Sequence, residues 1–484
     1  FSERTTLGLT YTSSYYKSQQ PGGLTDQQFE TDAQSSTRER NWFSAPWNLL
    51  NLQLKHQLSE NSSIDVKVFA NKSQRNSVGF LKAINIPDTI NSVTQEFAAR
   101  QVDRDAYESI GAEIRWVQHY SLLGKKVTGA TGIRSYHCNT ERRQQGTGTT
   151  GKDFDLSTTG QFGRELQFGT TNFAAFTEHL VQITKPWLIT LGARLENIQS
   201  TSEGRIAVSD GAIESLDRSR QFVLLSAGSS YQFYPDFSVY ANYSQSYRPV
   251  TYSELTPSAT SDIIDPNMKD ANGYTAELGA RGRIGRYVRT DATLFLLNYN
   301  DRIGTLSQNG TNFRTNIGDS RSTGIEWYTQ YDVLRKYNQV TTKHLQVFAS
   351  LSWLNATYTR WNNTTSNVEG KRVENAPWYN HHVGIMYLHN NWSFNLQHHI
   401  TGMAFSDAGN TREASANGQN GIIPAYNVTD FSVAYKMKKI WSFQTGVNNL
   451  TDQIYFTRRA GGYPGPGILP GMGRTWFVSV GVKV

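Results

Sequence analysis

The chain has 484 residues, a formal net charge of +7 and a pI near 9.2. Only 37% of residues are hydrophobic and mean hydropathy is -0.53, although 12% are aromatic. No run approaches the ~18 apolar residues of a membrane-spanning helix, which excludes a helical membrane protein. The single cysteine, Cys138, excludes an internal disulfide framework.

In chain order, apolar and polar residues alternate in one segment after another, which predicts an all-β chain of about 18 strands. The first runs from Arg4 to Lys17 and is followed by a long polar loop. Leu50, Leu52 and Leu54 then alternate with Asn51, Gln53 and Lys55, and after a short turn Ile64, Val66 and Val68 alternate with Asp65 and Lys67. A long loop extends to about Asp105. The next pair, Ile110 to Tyr120 and Val127 to Tyr136, flanks a short turn. The segment from about Asn139 to Phe168 is polar and rich in Gly and Thr, so it reads as a loop. Further strands are expected at Thr171 to Ile183, Trp187 to Glu196 and Phe237 to Ser244, with tight turns at Thr184–Trp187 and Tyr234–Asp236. Short connections follow at Arg283–Arg286, near Lys336, at His389–Asn391 and at Lys436–Lys439. Long ones span Val250–Gly273, Arg360–Asn375 and Ser406–Ile423.

The chain closes on two clear strands. Trp441, Phe443, Thr445 and Val447 alternate with Ser442, Gln444, Gly446 and Asn448. Trp476, Val478, Val480 and Val482 alternate with Phe477, Ser479, Gly481 and Lys483. A strand with one apolar face, one polar face and aromatics near its ends suits a barrel whose outside meets lipid and whose lumen is wet. Alternating long and short connections fit a transmembrane up-and-down antiparallel β-barrel. A soluble propeller would repeat a motif every ~40–45 residues, and none is present.

The end of the chain also resembles a known family. "VNNLTDQIYFTRR" (Val447 to Arg459), a Gly/Pro-rich loop and the closing "GRTWFVSVGVKV" are similar to the carboxyl-terminal signature of TonB-dependent outer-membrane receptors. "SQSYRPVTYSELTP" (Ser244 to Pro257) and "DPNMKDANGYTAELGAR" (Asp265 to Arg281) are similar to two internal segments of the same family. The last residue is Val484, where many relatives end in Phe. The resemblance implies a barrel of about 22 strands behind an amino-terminal plug. Residues 1–484 would then be the C-terminal part of that barrel, with the plug and roughly the first four strands outside this chain. It also implies location in the Gram-negative outer membrane among lipid and lipopolysaccharide. Transport would be driven by TonB–ExbB–ExbD acting through the plug.

Within the family the chain resembles the ferric citrate receptor branch, which implies an anionic ferric chelate as ligand and iron as cargo rather than as a resident cofactor. The ligand-binding positions implied by that resemblance are Arg75, Arg104, Arg164 and Gln308. Arginine suits the task because its planar fork donates two parallel hydrogen bonds to a carboxylate and keeps its charge. The bland alternative is that these are solvated loop cations touching lipopolysaccharide phosphates. The last loop, Gly461 to Gly471, has no amide side chain, and Tyr463 is its polar group, which leaves room for a larger or aromatic siderophore. Haem and an oligosaccharide are the other cargoes, the latter stacking on Trp42, Trp47 or Trp361.

Other motifs carry less. Neighbouring residues in a strand face opposite ways, so neither His381-His382 nor His398-His399 can chelate one metal through adjacent side chains. "GTGTTGK" (Gly146 to Lys152) lacks the strand–loop–helix setting of a phosphate loop. No nucleophile has a base at a plausible position, which argues against an enzyme such as a barrel protease or lipase. A passive porin would lack the closing signature. Nucleic acid is not an expected partner, because the basic residues form no stripe with stacking aromatics.

Overall fold

A computed structural model describes residues 2–82, 84, 86–205, 214–252, 254, 263–265, 267–308, 311–337, 342–362, 367–438, 440–461 and 466–483. Eighteen long strands form one antiparallel sheet. They are β1 (Thr5–Gln19), β2 (Trp42–Ser59), β3 (Ser62–Gly79), β4 (Gln101–Leu122), β5 (Lys125–Thr147) and β6 (Arg164–Gln182). β7 (Trp187–Arg205), β8 (Glu214–Tyr234), β9 (Phe237–Arg248), β10 (Ala271–Ile284), β11 (Val288–Gln308) and β12 (Thr311–Asp332) follow. β13 (Lys343–Trp361), β14 (Tyr379–His389), β15 (Trp392–Thr401), β16 (Tyr426–Met437), β17 (Trp441–Asn448) and β18 (Thr475–Val482) complete it. Each strand pairs with the next in sequence. The strand number and the up-and-down order match the sequence expectation. A two-residue segment, Ile263–Ile264, adds a parallel pairing on β12.

The two faces of the sheet differ as the alternation requires. Leu52, Leu54, Ile110, Ile114, Ile133, Phe173, Leu191, Val223, Leu278, Leu294, Val478 and Val480 are exposed on the outward face. Trp116, Trp187 and Trp327 stand near the short-turn end of that belt, and their indole N–H groups donate to Ser62, Ser229 and Thr290 at 2.7, 2.9 and 3.1 Å. Such a belt with amphipathic rings at its border is what a lipid-facing surface needs. Among the described residues no helix is long and apolar enough to cross a membrane.

On the inward face, aromatic rings lie over glycines directly opposite them on the neighbouring strand. Phe69 covers Gly111, Phe176 covers Gly132, Tyr240 covers Gly279, Phe295 covers Gly324, Phe348 covers Gly384 and Phe477 covers Gly446. A Cβ at any of these glycines would stand 2.4–2.6 Å from a ring atom. Each glycine therefore makes the space in which a ring lies flat against the sheet, a cross-strand pairing that fixes register.

The loops beyond the strands knit together. Leu24, in the loop after β1, exchanges backbone hydrogen bonds with Ile468, in the loop before β18, at 3.0 and 2.8 Å. Around that bridge Leu24, Ala404, Ile423, Phe456 and Ile468 form a buried apolar cluster, with Phe29 packed against it. Helix α1 (Asp26–Thr31) begins with a capping box between Thr25 and Gln28. The cap places Asp26 against Arg459, which holds both carboxylate oxygens at 2.8 and 2.6 Å. Loops adjoining the two ends of the sheet thus meet, so the sheet is curled.

Candidate anion-binding site

Strands β3 to β6 run past the outward apolar belt. There both faces are polar, and the contrast that marks a strand in sequence disappears while the backbone ladder continues. The expected loops up to Asp105 and over Asn139–Phe168 are therefore partly strand: β4 begins at Gln101, β5 ends at Thr147 and β6 begins at Arg164.

In this extension Arg75 on β3, Asp105 on β4 and Arg142 on β5 are direct cross-strand partners, so their side chains share the inward face. The Asp105 side chain is 2% exposed. Arg75 Nη1 lies 3.7 Å from its Oδ2, and Arg142 Nε lies 3.4 Å from its Oδ1. Gln144 Nε2 donates to both carboxylate oxygens at 3.2 and 3.4 Å, and the Tyr107 hydroxyl donates to Oδ2 at 3.4 Å. Arg164, buried at the start of β6, is paired with Gln144 and donates through Nη1 to its Oε1 at 3.5 Å. Two expected residues thus fall in one cluster, Arg75 at the carboxylate and Arg164 one step removed through Gln144. Asp103, on the same row, instead accepts from the Gln145 N–H at 2.8 Å and from Gln101 at 2.9 Å.

The three arginines differ in availability. Arg75 is 50% exposed and its contact with Asp105 is long, whereas the Arg142 side chain is 13% exposed. Aromatic rings flank both: Phe43 lies 5.9 Å from the Arg75 guanidinium and Phe168 lies 5.6 Å from that of Arg142. A ring beneath a guanidinium holds it by its face and leaves its edge N–H groups for oxygen acceptors.

The other expected residues fall elsewhere. Arg104 lies on β4 beside Asp105, so it takes the opposite row, and it is exposed opposite Arg143. Gln308 is the last residue of β11, paired with Thr311, and its side chain lies outside the described residues. Tyr463 also lies outside them. Sequence reading missed Arg142, Asp105 and Gln144. The available signal was the two-residue turn at 123–124, which fixes the β4–β5 register and sets Asp105 opposite Arg142.

Two further arginines are structural. Arg40, 2% exposed, grips Asp88 through Nε and Nη2 at 2.8 and 2.5 Å and donates to the Thr150 and Ala98 carbonyls. Arg100, 1% exposed, donates to the Asp153 carbonyl at 2.6 Å and to Thr149 Oγ1 at 2.9 Å. Burial, with the Arg40 charge nearby, pulls its guanidinium below the ordinary arginine value. Gly146 to Lys152 wraps this pair, with the Gly148 N–H donating to the Arg100 carbonyl at 2.7 Å, so the phosphate-loop look has a structural cause. Among the histidines, His382 stacks on His399 of the next strand with ring centroids 3.7 Å apart, while His381 stacks on Tyr379. Among the described residues no group of three or more His, Cys, Asp or Glu side chains could hold a metal ion.

A family model described as TonB dependent receptor-like, beta-barrel matches residues 1–450. An uncharacterized TonB-dependent receptor of Haemophilus influenzae is 25% identical over 317 residues, covering 59% of this chain and 78% of the relative. The probable TonB-dependent siderophore receptor PiuA of Acinetobacter baumannii is 22% identical over 307 residues, or 57% of this chain. The match covers only 36% of that much longer protein. Among solved structures, the ferric citrate transporter FecA in its unliganded form superposes with a TM-score of 0.83 at 23% identity, over 99% of this chain and 68% of that one. With the barrel model matched over nearly its whole length, the chain belongs to the TonB-dependent receptor family, proteins of the Gram-negative outer membrane.

Proposed function

We propose that this chain is the ligand-capturing barrel of a receptor that binds an anionic ferric chelate and imports it with TonB-derived energy. The observation that carries the reading is the convergence of Arg75 and Arg142 on the carboxylate of Asp105 on the inward face, with Arg164 joined to them through Gln144. Several guanidiniums at one mouth repel one another unless anions lie between them. Asp105 supplies one such anion, and a chelate rich in carboxylate oxygens supplies more. Ferric citrate is the first candidate cargo. A larger siderophore, haem or an oligosaccharide is the alternative. Capture needs no covalent step: the arginines bind, and the plug, driven by TonB–ExbB–ExbD, opens the way. Gln308 remains a proposed contact. Arg142 replaces Arg104 in the ligand set, because Arg104 lies on the opposite row.

The test is equilibrium binding of ferric citrate to the full-length receptor, wild type beside Arg75→Ala and Arg164→Ala. Saturable binding that requires iron and collapses in both variants supports the reading. Binding that is indifferent to both removes the pocket. Growth on another ferric chelate without citrate binding would keep the receptor class and discard citrate.

A further inference from the structure

We propose that the mouth holds a second anion-binding pole, built on Arg218 and Arg220 of β8, and that the cargo carries anionic groups on two opposite sides. This rests on the anion-capture reading above and narrows it to two-sided polyanions.

Arg218 and Arg220 stand two residues apart and so share a face of β8. Arg218 is paired with Ser200 of β7, which is paired with Thr170 of β6. Thr170 lies on the same inward row as Arg164 and Phe168. The Arg220 side chain is 6% exposed. Its Nε donates to Asp270 Oδ2 at 2.6 Å and its Nη1 to Ser200 Oγ at 3.2 Å. Its Nη2 is buried without a hydrogen-bond partner among the described residues. An orphaned charged donor of this kind costs stability unless something polar meets it. Arg218 is half-buried and gives one N–H to the Met268 carbonyl at 2.9 Å. It makes no ion pair among the described residues.

This pole repeats the plan of the first. Asp270 holds the centre as Asp105 does, taking the Tyr247 hydroxyl and the Val250 N–H, the latter at 2.7 Å, besides Arg220. Contacts join the two poles across the sheet. Arg142 lies over Phe168, Phe168 stacks on Tyr252 at 4.3 Å, and the Tyr252 hydroxyl bonds Thr170. Thr170 Oγ1 is 3.5 Å from Ser200 Oγ, which accepts from Arg220. Arg142 and Arg218 are three strands apart, ~14 Å across the ladder, and Arg218 registers with Cys138, four residues along β5 from Arg142, so their backbones stand ~19 Å apart and the long side chains reach inward between them. A small one-sided anion satisfies one pole only. A compact chelate with carboxylates at both ends, seated over the Phe168–Tyr252 stack, engages both.

The experiment uses the purified full-length receptor and two probes, ferric citrate and the cationic chelate ferrioxamine B. Arg218→Ala is chosen over a change at Arg220 because it breaks no buried pair. Arg142→Ala and Arg218→Ala are each expected to weaken ferric citrate binding about tenfold or more. The double variant should multiply the two losses, since the sites share no partner. Arg218→Lys should recover most of the affinity. If Arg142→Ala weakens binding while Arg218→Ala stays within about twofold, the second pole is wrong and the anion-capture reading stands. If neither variant weakens it, or if the wild type takes up ferrioxamine B and not ferric citrate, both fall together.

Discussion

Asp105→Asn should tighten the binding of an anionic chelate. The carboxylate stands among Arg75, Arg142, Gln144 and Tyr107, and its side chain is 2% exposed. Asparagine keeps an oxygen for Gln144 and Tyr107 and removes the charge. A ligand carboxylate held on the far side of either guanidinium would lie ~7 Å from Asp105, about twice the contact distance. Repulsion at that range is ~0.6 kcal/mol in water and ~2.4 kcal/mol at an effective dielectric of 20. The substitution should therefore strengthen binding by roughly 3-fold to 60-fold. Titration calorimetry with ferric citrate on the full-length receptor measures it. A run at high salt should shrink the gain, because the mouth is partly wet. Unchanged or weaker binding by a variant that still folds would refute the charge argument, and would make Asp105 an orienting group whose carboxylate aims the arginines.

Other outcomes follow from the same geometry. Arg104→Ala should leave chelate binding within about twofold of wild type, since its row faces away from Asp105; a loss like that of Arg75→Ala would refute the facing assigned here. Arg459→Ala should unhook α1 and the loops around Gly418 and Ile422, where its side chain is 4% exposed. With Asp26 partly exposed the cost is about 2 kcal/mol, readable as faster proteolysis of those loops. Gly132→Val should displace the Phe176 ring and cost ~1–3 kcal/mol, seen as an earlier heat-induced mobility shift on a denaturing gel. Burial pushes the Asp270 carboxyl up, but hydrogen bonds from Tyr247, Arg220 and the Val250 N–H outweigh that and leave it below the usual carboxylate value. A depressed folded value means its stabilising effect is full above the unfolded value near ~3.9 and fades as pH falls below it. Protease resistance at Tyr247–Val250 and Asn267–Asp270, which Asp270 ties together, should hold from pH ~8 to ~5 and decline only below ~4. Asp270→Asn should weaken it at every pH.

The barrel was legible because lipid outside and water inside impose opposite demands on successive residues. Leu52 and Leu54 against Asn51 and Gln53 show that in four letters. The strand extensions were illegible for the complementary reason. Between Gln101 and Tyr107, or Asn139 and Thr147, polar residues occupy both faces, so no pattern separates strand from loop. The candidate site sits in those extensions. The resemblance pointed to Arg75 and Arg164, which lie in the same cluster, and the structure adds the Asp105 carboxylate between Arg75 and Arg142. Register could have supplied it. Counting outward from the turn at 123–124 puts Asp105 opposite Arg142 and Arg104 opposite Arg143, and so separates the inward arginine from the outward one. The shift between Val102 and Arg104 lies just beyond that pair, so the count holds as far as the site needs it.

What distinguishes a capturing arginine from a bracing one is where its N–H groups go. Arg40 and Arg100 aim most of theirs at backbone carbonyls of three different loops, and both are almost wholly buried. Carbonyls cannot be displaced without unfolding the loop, so these side chains are committed to structure. Arg75 and Arg142 meet a side-chain carboxylate at 3.7 and 3.4 Å over an aromatic ring. Contacts that long give little hydrogen-bond energy, so they can shorten onto a better acceptor at small cost. A charged residue counts toward a binding site when its partner is weakly held and replaceable. By that measure Arg75 and Arg142, on β3 and β5, qualify, and Arg40 and Arg100 in the loops above them do not.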